Sequence, residues 1–297
     1  MQTVAQFCPS VNESKSTGKD KAKALRERID VMVDGLAKAV DDVRASDTFK
    51  SYLDVQARFH RYSWHNSMLI LWQRPDASRV AGFQTWKKLG RHVRQGERGI
   101  MIFAPCPFHK ERERNDGTTE SVDGVFFKPV HVFDVSQTDG KALPDVDVPI
   151  IDADAEALLT ALERVVAKRG FRLEYQTLDG SANGFTDKSG RIVIRSDNPI
   201  GHKAHTLAHE LAHQALHFDK ANRPDKLTRD VAELEAESVA YVVCKHFGID
   251  ADVTASRYIA LWSGDGKAMR ESLQRIAETA RTIIDEAESV QADKAVA

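Results

Sequence analysis

The chain has 297 residues, 42% of them hydrophobic and 29% charged, with a formal net charge of −2. That balance is ordinary for a folded globular protein, and the length predicts two domains. Three scattered cysteines (Cys8, Cys106, Cys244) argue against a disulfide framework and for a reducing, cytoplasmic setting. No apolar run approaches the ~18 residues of a membrane helix. Residues 1–20 also lack the apolar core of a signal peptide, so no membrane partner is expected.

In chain order, residues 1–20 are polar and Ser/Lys-rich and predict a flexible arm. Leu25, Ile29, Met32, Val33, Leu36, Val40 and Val43 recur at helical spacing and predict a helix over 21–49. A second helix is expected from about Ser51 to Gln73, ended by Pro75, and a short one over 83–89, stopped by Gly90. The pattern then turns to strands: a turn over 93–99, a strand over 100–104, a charged hairpin connection over 111–119 and a returning strand over 125–133. Residues 139–150, rich in Asp, Pro and Gly, read as a linker.

The second domain, 151–290, opens with an amphipathic helix over 155–168 closed by Gly170, a strand over 171–175 and a hairpin over 185–195. The alternation in 191–195 suits a strand near a sheet edge. Two further helices are expected over 252–262 and 267–285, with 291–297 as a frayed tail.

Between the hairpin and those helices lie the residues that carry chemistry. His209-Glu210-Leu211-Ala212-His213 sits in a helix-forming stretch free of Pro and Gly. Residues four apart lie one above the other on a helix, so two imidazoles can grip one metal ion while Glu210 reaches a water on it. A catalytic zinc takes three protein ligands and a water. The third ligand is sought on the next helix, 230–241, where Glu233 and Glu237 share a face and Glu235 points about 160° away. Glu233 is the preferred ligand and Glu237 the hydrogen-bond partner of a liganding imidazole, with the reverse assignment open. Zn2+ is the default ion, with Mn2+ or another divalent ion as the alternative. His205 and His217 continue the i, i+4 series but drift about 40° per step, which places them off the site. Tyr241 reads as a packing residue rather than an oxyanion donor. The constellation implies metal-assisted hydrolysis, of a peptide bond first of all, with Glu210 as general base and acid. Extended peptide could add to the sheet edge at 191–195.

From Arg58 to Arg98 there are nine Arg or Lys against two acids, interleaved with aromatic residues. Single-stranded nucleic acid binds by stacking bases on aromatics in a cationic groove. The candidate contacts are Arg61, Trp64, Trp72, Arg74, Trp86, Lys87, Lys88, Arg91, Arg94 and Arg98; the rival reading of these aromatics is core.

The two halves together resemble the ArdC-type antirestriction proteins of conjugative plasmids. The resemblance is carried by Asn66-Ser67-Met68-Leu69-Ile70-Leu71, Gly82-Phe83-Gln84-Thr85-Trp86-Lys87-Lys88-Leu89-Gly90 and Val93-Arg94-Gln95-Gly96-Glu97-Arg98-Gly99, then by Ala208–His213, Glu233-x-x-x-Glu237 with residues 244–249, and Arg257-Tyr258-Ile259-Ala260-Leu261-Trp262. The metal helix and Glu233 also resemble the ImmA/IrrE peptidases, and the charged hairpin 109–123 departs from the pattern. The resemblance implies an α+β protein: an α/β single-stranded-DNA-binding domain over 21–138, then a gluzincin-like metallopeptidase domain of helices packed on a small antiparallel sheet. It implies protection of incoming plasmid DNA, with a protein substrate left open. Two alternatives stand beside it: a DNA-protecting binder with a non-catalytic metal site, and an ImmA-like peptidase that cleaves a repressor.

Overall fold

The computed structural model describes residues 17–37, 42–113, 119–142, 155–218, 227–249 and 265–296. The expected arm up to residue 16, the hairpin tip 114–118, the linker from 143, the turn 219–226 and the helix over 252–262 lie outside them. The described residues fall into two compact units, one within Val33–Ser67 and Asp145–Ala297, the other within Gln2–Met32 and Met68–Pro144. None of the described helices is long and apolar enough to cross a membrane.

The first helical stretch divides differently from the expectation. α1 is Gly18–Ala37, α2 is Asp42–Arg58 and α3 is Trp64–Gln73. α1 starts three residues inside the expected arm because Thr17 and Asp20 cap it reciprocally: Asp20 N–H donates to Thr17 Oγ1 (3.3 Å) and Thr17 N–H to Asp20 Oδ2 (2.9 Å). The break at 59–63 follows from Ser63, whose Oγ accepts from Asn66 N–H (3.4 Å) and starts α3 afresh.

In the second unit, β1 (Val80–Gly82), β4 (Thr119–Asp134) and β3 (Ile100–Glu113) form an antiparallel sheet in the order β1-β4-β3. β3 and β4 pair from Ile100↔Val132 to Glu113↔Thr119, so the strands run far beyond the expected 100–104. Pro105 and Pro107 hid this, yet they lie two apart on an edge strand, where both missing N–H groups face away from the ladder. α4 (Phe83–Lys88) follows β1, and β2 (Arg91–Val93) pairs with β5 (Thr138–Gly140).

In the first unit, α5 (Ala155–Lys168), α6 (Ile200–His213), α7 (Arg229–His246) and α8 (Gly266–Val296) pack on one another, and α2 lies on α7. Leu207, Leu211, Leu234, Val239 and Ile276 are fully buried among them. α8 carries helix to Val296, into the expected tail. The sheet holds β6 (Arg172–Gln176), β7 (Gly184–Thr186) and β8 (Arg191–Arg195), in the order β6-β8-β7, with β6 parallel and β7 antiparallel to β8. The strand at 191–195 is therefore central, not an edge. Its Ile192, Val193 and Ile194 are all buried, which a one-sided edge strand would not require. β7 is the edge. It lies so close to α6 that a Cβ on Gly184 would meet Thr206 Cγ2 at 2.7 Å and the Val193 carbonyl oxygen at 2.8 Å.

Candidate metal centre

α6 and α7 bring three side chains to one point. His209 Nε2 and His213 Nε2 are 2.9 Å apart, and Glu233 Oε2 lies 3.5 Å from the first and 3.6 Å from the second. Donors each about 2.0–2.1 Å from a tetrahedral zinc sit roughly 3.3 Å from one another, so this triangle has the dimensions of a metal face. His209, His213 and Glu233 form one of two groups among the described residues able to hold a metal ion.

Hydrogen bonds behind the imidazoles set which nitrogen points inward. Glu237 Oε2 lies 3.1 Å from His209 Nδ1, on the far side of the ring from Glu233. A carboxylate accepts, so Nδ1 carries the hydrogen and Nε2 presents its lone pair. Glu237 Oε1 is also 3.5 Å from His205 Nε2, which brings His205 against the site rather than off it. Glu237→Gln keeps the bulk but weakens the acceptor; we expect zinc affinity to fall about 10–100-fold, read by competition with a chelating dye, with the fold unchanged by circular dichroism.

His213 is oriented by a longer relay. Its Nδ1 is 2.9 Å from His217 Nδ1, and His217 Nε2 is 3.2 Å from Glu235 Oε2. Glu235 is fully buried and also meets Arg275 and the Ser272 hydroxyl. The relay directs the His213 Nε2 lone pair toward Glu233. The expectation that His217 drifts off the site fails because α6 passes into a π turn over Gln214–Phe218. Its wider i→i+5 turn offsets the drift of an α-helix, and such turns gather at functional sites.

Electrostatics favour positive charge at this point. Burial opposes the imidazolium of His209, but the hydrogen bonds that it donates to Glu233 and Glu237 outweigh this and push its pKa up to about 9. Hydrogen bonds from His209 and His213 hold the Glu233 carboxyl well below the ordinary carboxylate range. Glu210 is 6% exposed, and burial raises its pKa, partly offset by the two imidazoles. It lines two clefts, of about 610 and 670 Å³, that share Gly184, His209 and Glu210. The first continues along Asn183, His202, His205 and Ile249, the second along Phe185, Lys188, Phe218 and Arg229. Tyr241 is elsewhere: fully buried, its hydroxyl donates to Asp54 Oδ1 at 2.6 Å.

The basic, aromatic residues do not gather into one groove. Trp64 and Trp86 are buried, at 4% and 2% exposure, which withholds both rings from bases. Trp86 Nε1–H donates to the Phe133 carbonyl (2.9 Å) and ties α4 to β4. The Trp72 ring is covered by the Arg28 guanidinium at 3.9 Å. Arg91 donates to Thr138 Oγ1 and to the Thr138 and Lys141 carbonyls, clamping β2 to β5. Arg94 donates to Glu97 and the Ser136 carbonyl, and Arg74 to Ser136 Oγ. Arg61 pairs with Glu288 of α8 at 3.1 Å, within the same unit. Lys87, Lys88 and Arg98 are exposed. Phe83, 51% exposed, is one turn before Lys87 on α4 and shares its face.

Residues 23–133 match the N-terminal domain of anti-restriction factor ArdC, and residues 169–253 match the IrrE N-terminal-like domain of the M78 peptidase class. An uncharacterized protein of Bacillus anthracis, pXO2-81, is 25% identical over 315 residues, covering 92% of this chain and 53% of that protein. The chain thus spans about half the length of the curated relative it matches. A crystal structure of the antirestriction ArdC protein from plasmid R388, metal-free, superposes with a TM-score of 0.50 at 21% identity, covering 77% of this chain and 85% of that one. The two share a fold.

Proposed function

The chain is of ArdC type, an ArdC N-terminal domain with an IrrE-like domain after it, and on that premise we propose that it is a cytoplasmic antirestriction protein of the conjugative-plasmid kind. Its first half binds single-stranded DNA and its second is a zinc-dependent peptidase. The observation that carries the peptidase reading is the convergence of His209 Nε2, His213 Nε2 and Glu233 Oε2 beside Glu210 in a cleft. Two imidazoles and one carboxylate are the donor set of a catalytic zinc with one position open. When bound, the ion supplies a Lewis acid and lowers the pKa of a water ligand toward neutrality.

The chain's own residues do the rest. Glu210, its affinity for a proton raised by burial, accepts the proton of the attacking water and passes it to the leaving amine. Glu237 and the His217–Glu235 relay hold the two imidazoles in the tautomer that presents Nε2. β7 is paired on one side only, and Gly184 lies in both clefts, which supports β7 as the seat of an extended peptide added as a further strand. Chelation should abolish cleavage of fluorogenic peptides and zinc should restore it; cleavage that survives chelation rejects the reading.

For the DNA-binding half, the supporting feature is α4, where Phe83 offers a stacking face beside the cations Lys87 and Lys88. Replacing both lysines with Ala is expected to weaken oligonucleotide binding and to flatten the slope of log affinity against log salt by about 1.4, since each phosphate contact on a single strand contributes roughly 0.7. Fluorescence anisotropy across a salt series reads this, and an unchanged slope removes both lysines from the interface.

A further inference from the structure

A second group of metal-binding side chains stands apart from the HExxH site: His60 in the turn after α2, His246 at the end of α7 and Glu288 on α8, whose ligand atoms all lie within 4.8 Å of one another. We propose that these residues form a second, structural site for a divalent transition-metal ion, zinc first, that fastens the turn after α2 to α7 and α8.

The hydrogen-bond inventory supports it. His246 Nδ1 is 3.1 Å from the Ala57 carbonyl oxygen, which can only accept, so Nδ1 carries the hydrogen. In the neutral ring, Nε2 is then a lone pair, and it faces Glu288 Oε1 at 3.0 Å. A lone pair and a carboxylate oxygen at that distance repel unless positive charge lies between them. His60 is 8% exposed, and neither of its ring nitrogens has a hydrogen-bond partner, a costly state for a buried imidazole. Its ring packs edge-on against His246 with centroids 4.4 Å apart, and its Nε2 is 3.7 Å from Asp285 Oδ1. One cation would satisfy the unpaired nitrogen of His60, the lone pair of His246 and the Glu288 carboxylate together.

Charge and donor type agree. Two imidazoles with one carboxylate, and Asp285 as a second, suit zinc better than magnesium or calcium, which take oxygen ligands. Arg61 pairs with Glu288 and Asp285, and Arg281 with Asp285, but these guanidiniums are 66% and 53% exposed and can turn to water as a cation enters.

The test removes the first site and counts what is left. After chelation and dialysis against micromolar free zinc, the full chain should hold two equivalents and the His209→Ala/His213→Ala variant one. In that background, His60→Gln and Glu288→Gln should each lose the remaining equivalent, and zinc should no longer raise the melting temperature. Should that double variant fail to fold, His60→Gln in the otherwise unaltered chain decides the matter: a zinc content unchanged from the parent overturns the second site, whatever the first site holds. So does a second equivalent that survives both His60→Gln and Glu288→Gln. Because the count is made with the first site removed, its outcome is independent of the peptidase reading.

Discussion

Glu210→Gln is expected to bind zinc as the parent does and to lose peptide hydrolysis by about 10²–10⁴-fold, the span assigned to a general acid–base group. Glutamine has nearly the same shape but cannot accept the proton of the attacking water. The loss should therefore fall on kcat and leave KM near its parent value. Glu210 is 6% exposed and takes no part in the triangle formed by His209, His213 and Glu233, so its replacement leaves the donor set whole. Zinc content by elemental analysis and turnover of a fluorogenic peptide, measured on one preparation, separate the two roles. Unchanged turnover would remove Glu210 from the chemistry. Lost zinc would mean that it helps to hold the ion.

Glu235→Ala is expected to destabilise the fold by about 3–5 kcal/mol, the cost of breaking a buried ion pair by removing one partner. Glu235 is fully buried; Arg275 Nε donates to its Oε2 at 3.3 Å, Ser272 donates to its Oε1, and His217 reaches it at 3.2 Å. Alanine would strand the buried His217 and leave the partly exposed Arg275 without its carboxylate. Urea unfolding reads the loss, and a double-mutant cycle with Arg275→Met should recover part of it if the pair is the cause. The sign of the pH dependence follows. Burial works against the Glu235 carboxylate, but hydrogen bonds from His217, Arg275 and Ser272 prevail and hold its pKa below the ordinary 4.5. The unfolded chain then binds more protons. The carboxylate's contribution is present above about pH 4.5 and fades as the pH falls through the folded value, a fading that the alanine variant should lack.

The Glu235 network also shows where sequence reading stopped. His209, Glu210, His213, Glu233 and Glu237 could be singled out because i, i+4 spacing on a regular helix fixes a shared face. The π turn at 214–218 could not be seen, since nothing in Gln214-Ala215-Leu216-His217-Phe218 marks a change from 3.6 residues per turn; without it His217 is assigned to the wrong face. The position of the edge strand is hidden for a related reason. The alternation in 191–195 suggests one wet face, whereas β8 lies between two neighbours with Ile192, Val193 and Ile194 all buried. The break between α2 and α3 had a local signal in Ser63, three residues before Asn66, that was masked by the continuous apolar period through Phe59 and Trp64.

In the N-terminal half, composition located the positive charge but could not divide it. Arg91 and Arg94 are spent on carbonyls and acids of the β2–β5 region, and Trp64 and Trp86 are buried. Which cations are left facing water depends on tertiary pairing, to which a count of residues is blind. Among the described residues of that half, Phe83, Phe108, Phe126 and Phe127 are exposed aromatics.

The most direct test is anomalous diffraction from zinc-loaded crystals at the zinc edge. A peak is expected about 2.0–2.2 Å from His209 Nε2, His213 Nε2 and a Glu233 carboxylate oxygen, with a water in the fourth position. A peak held by Glu237 in place of Glu233, or closed off by a fourth protein ligand, would contradict it.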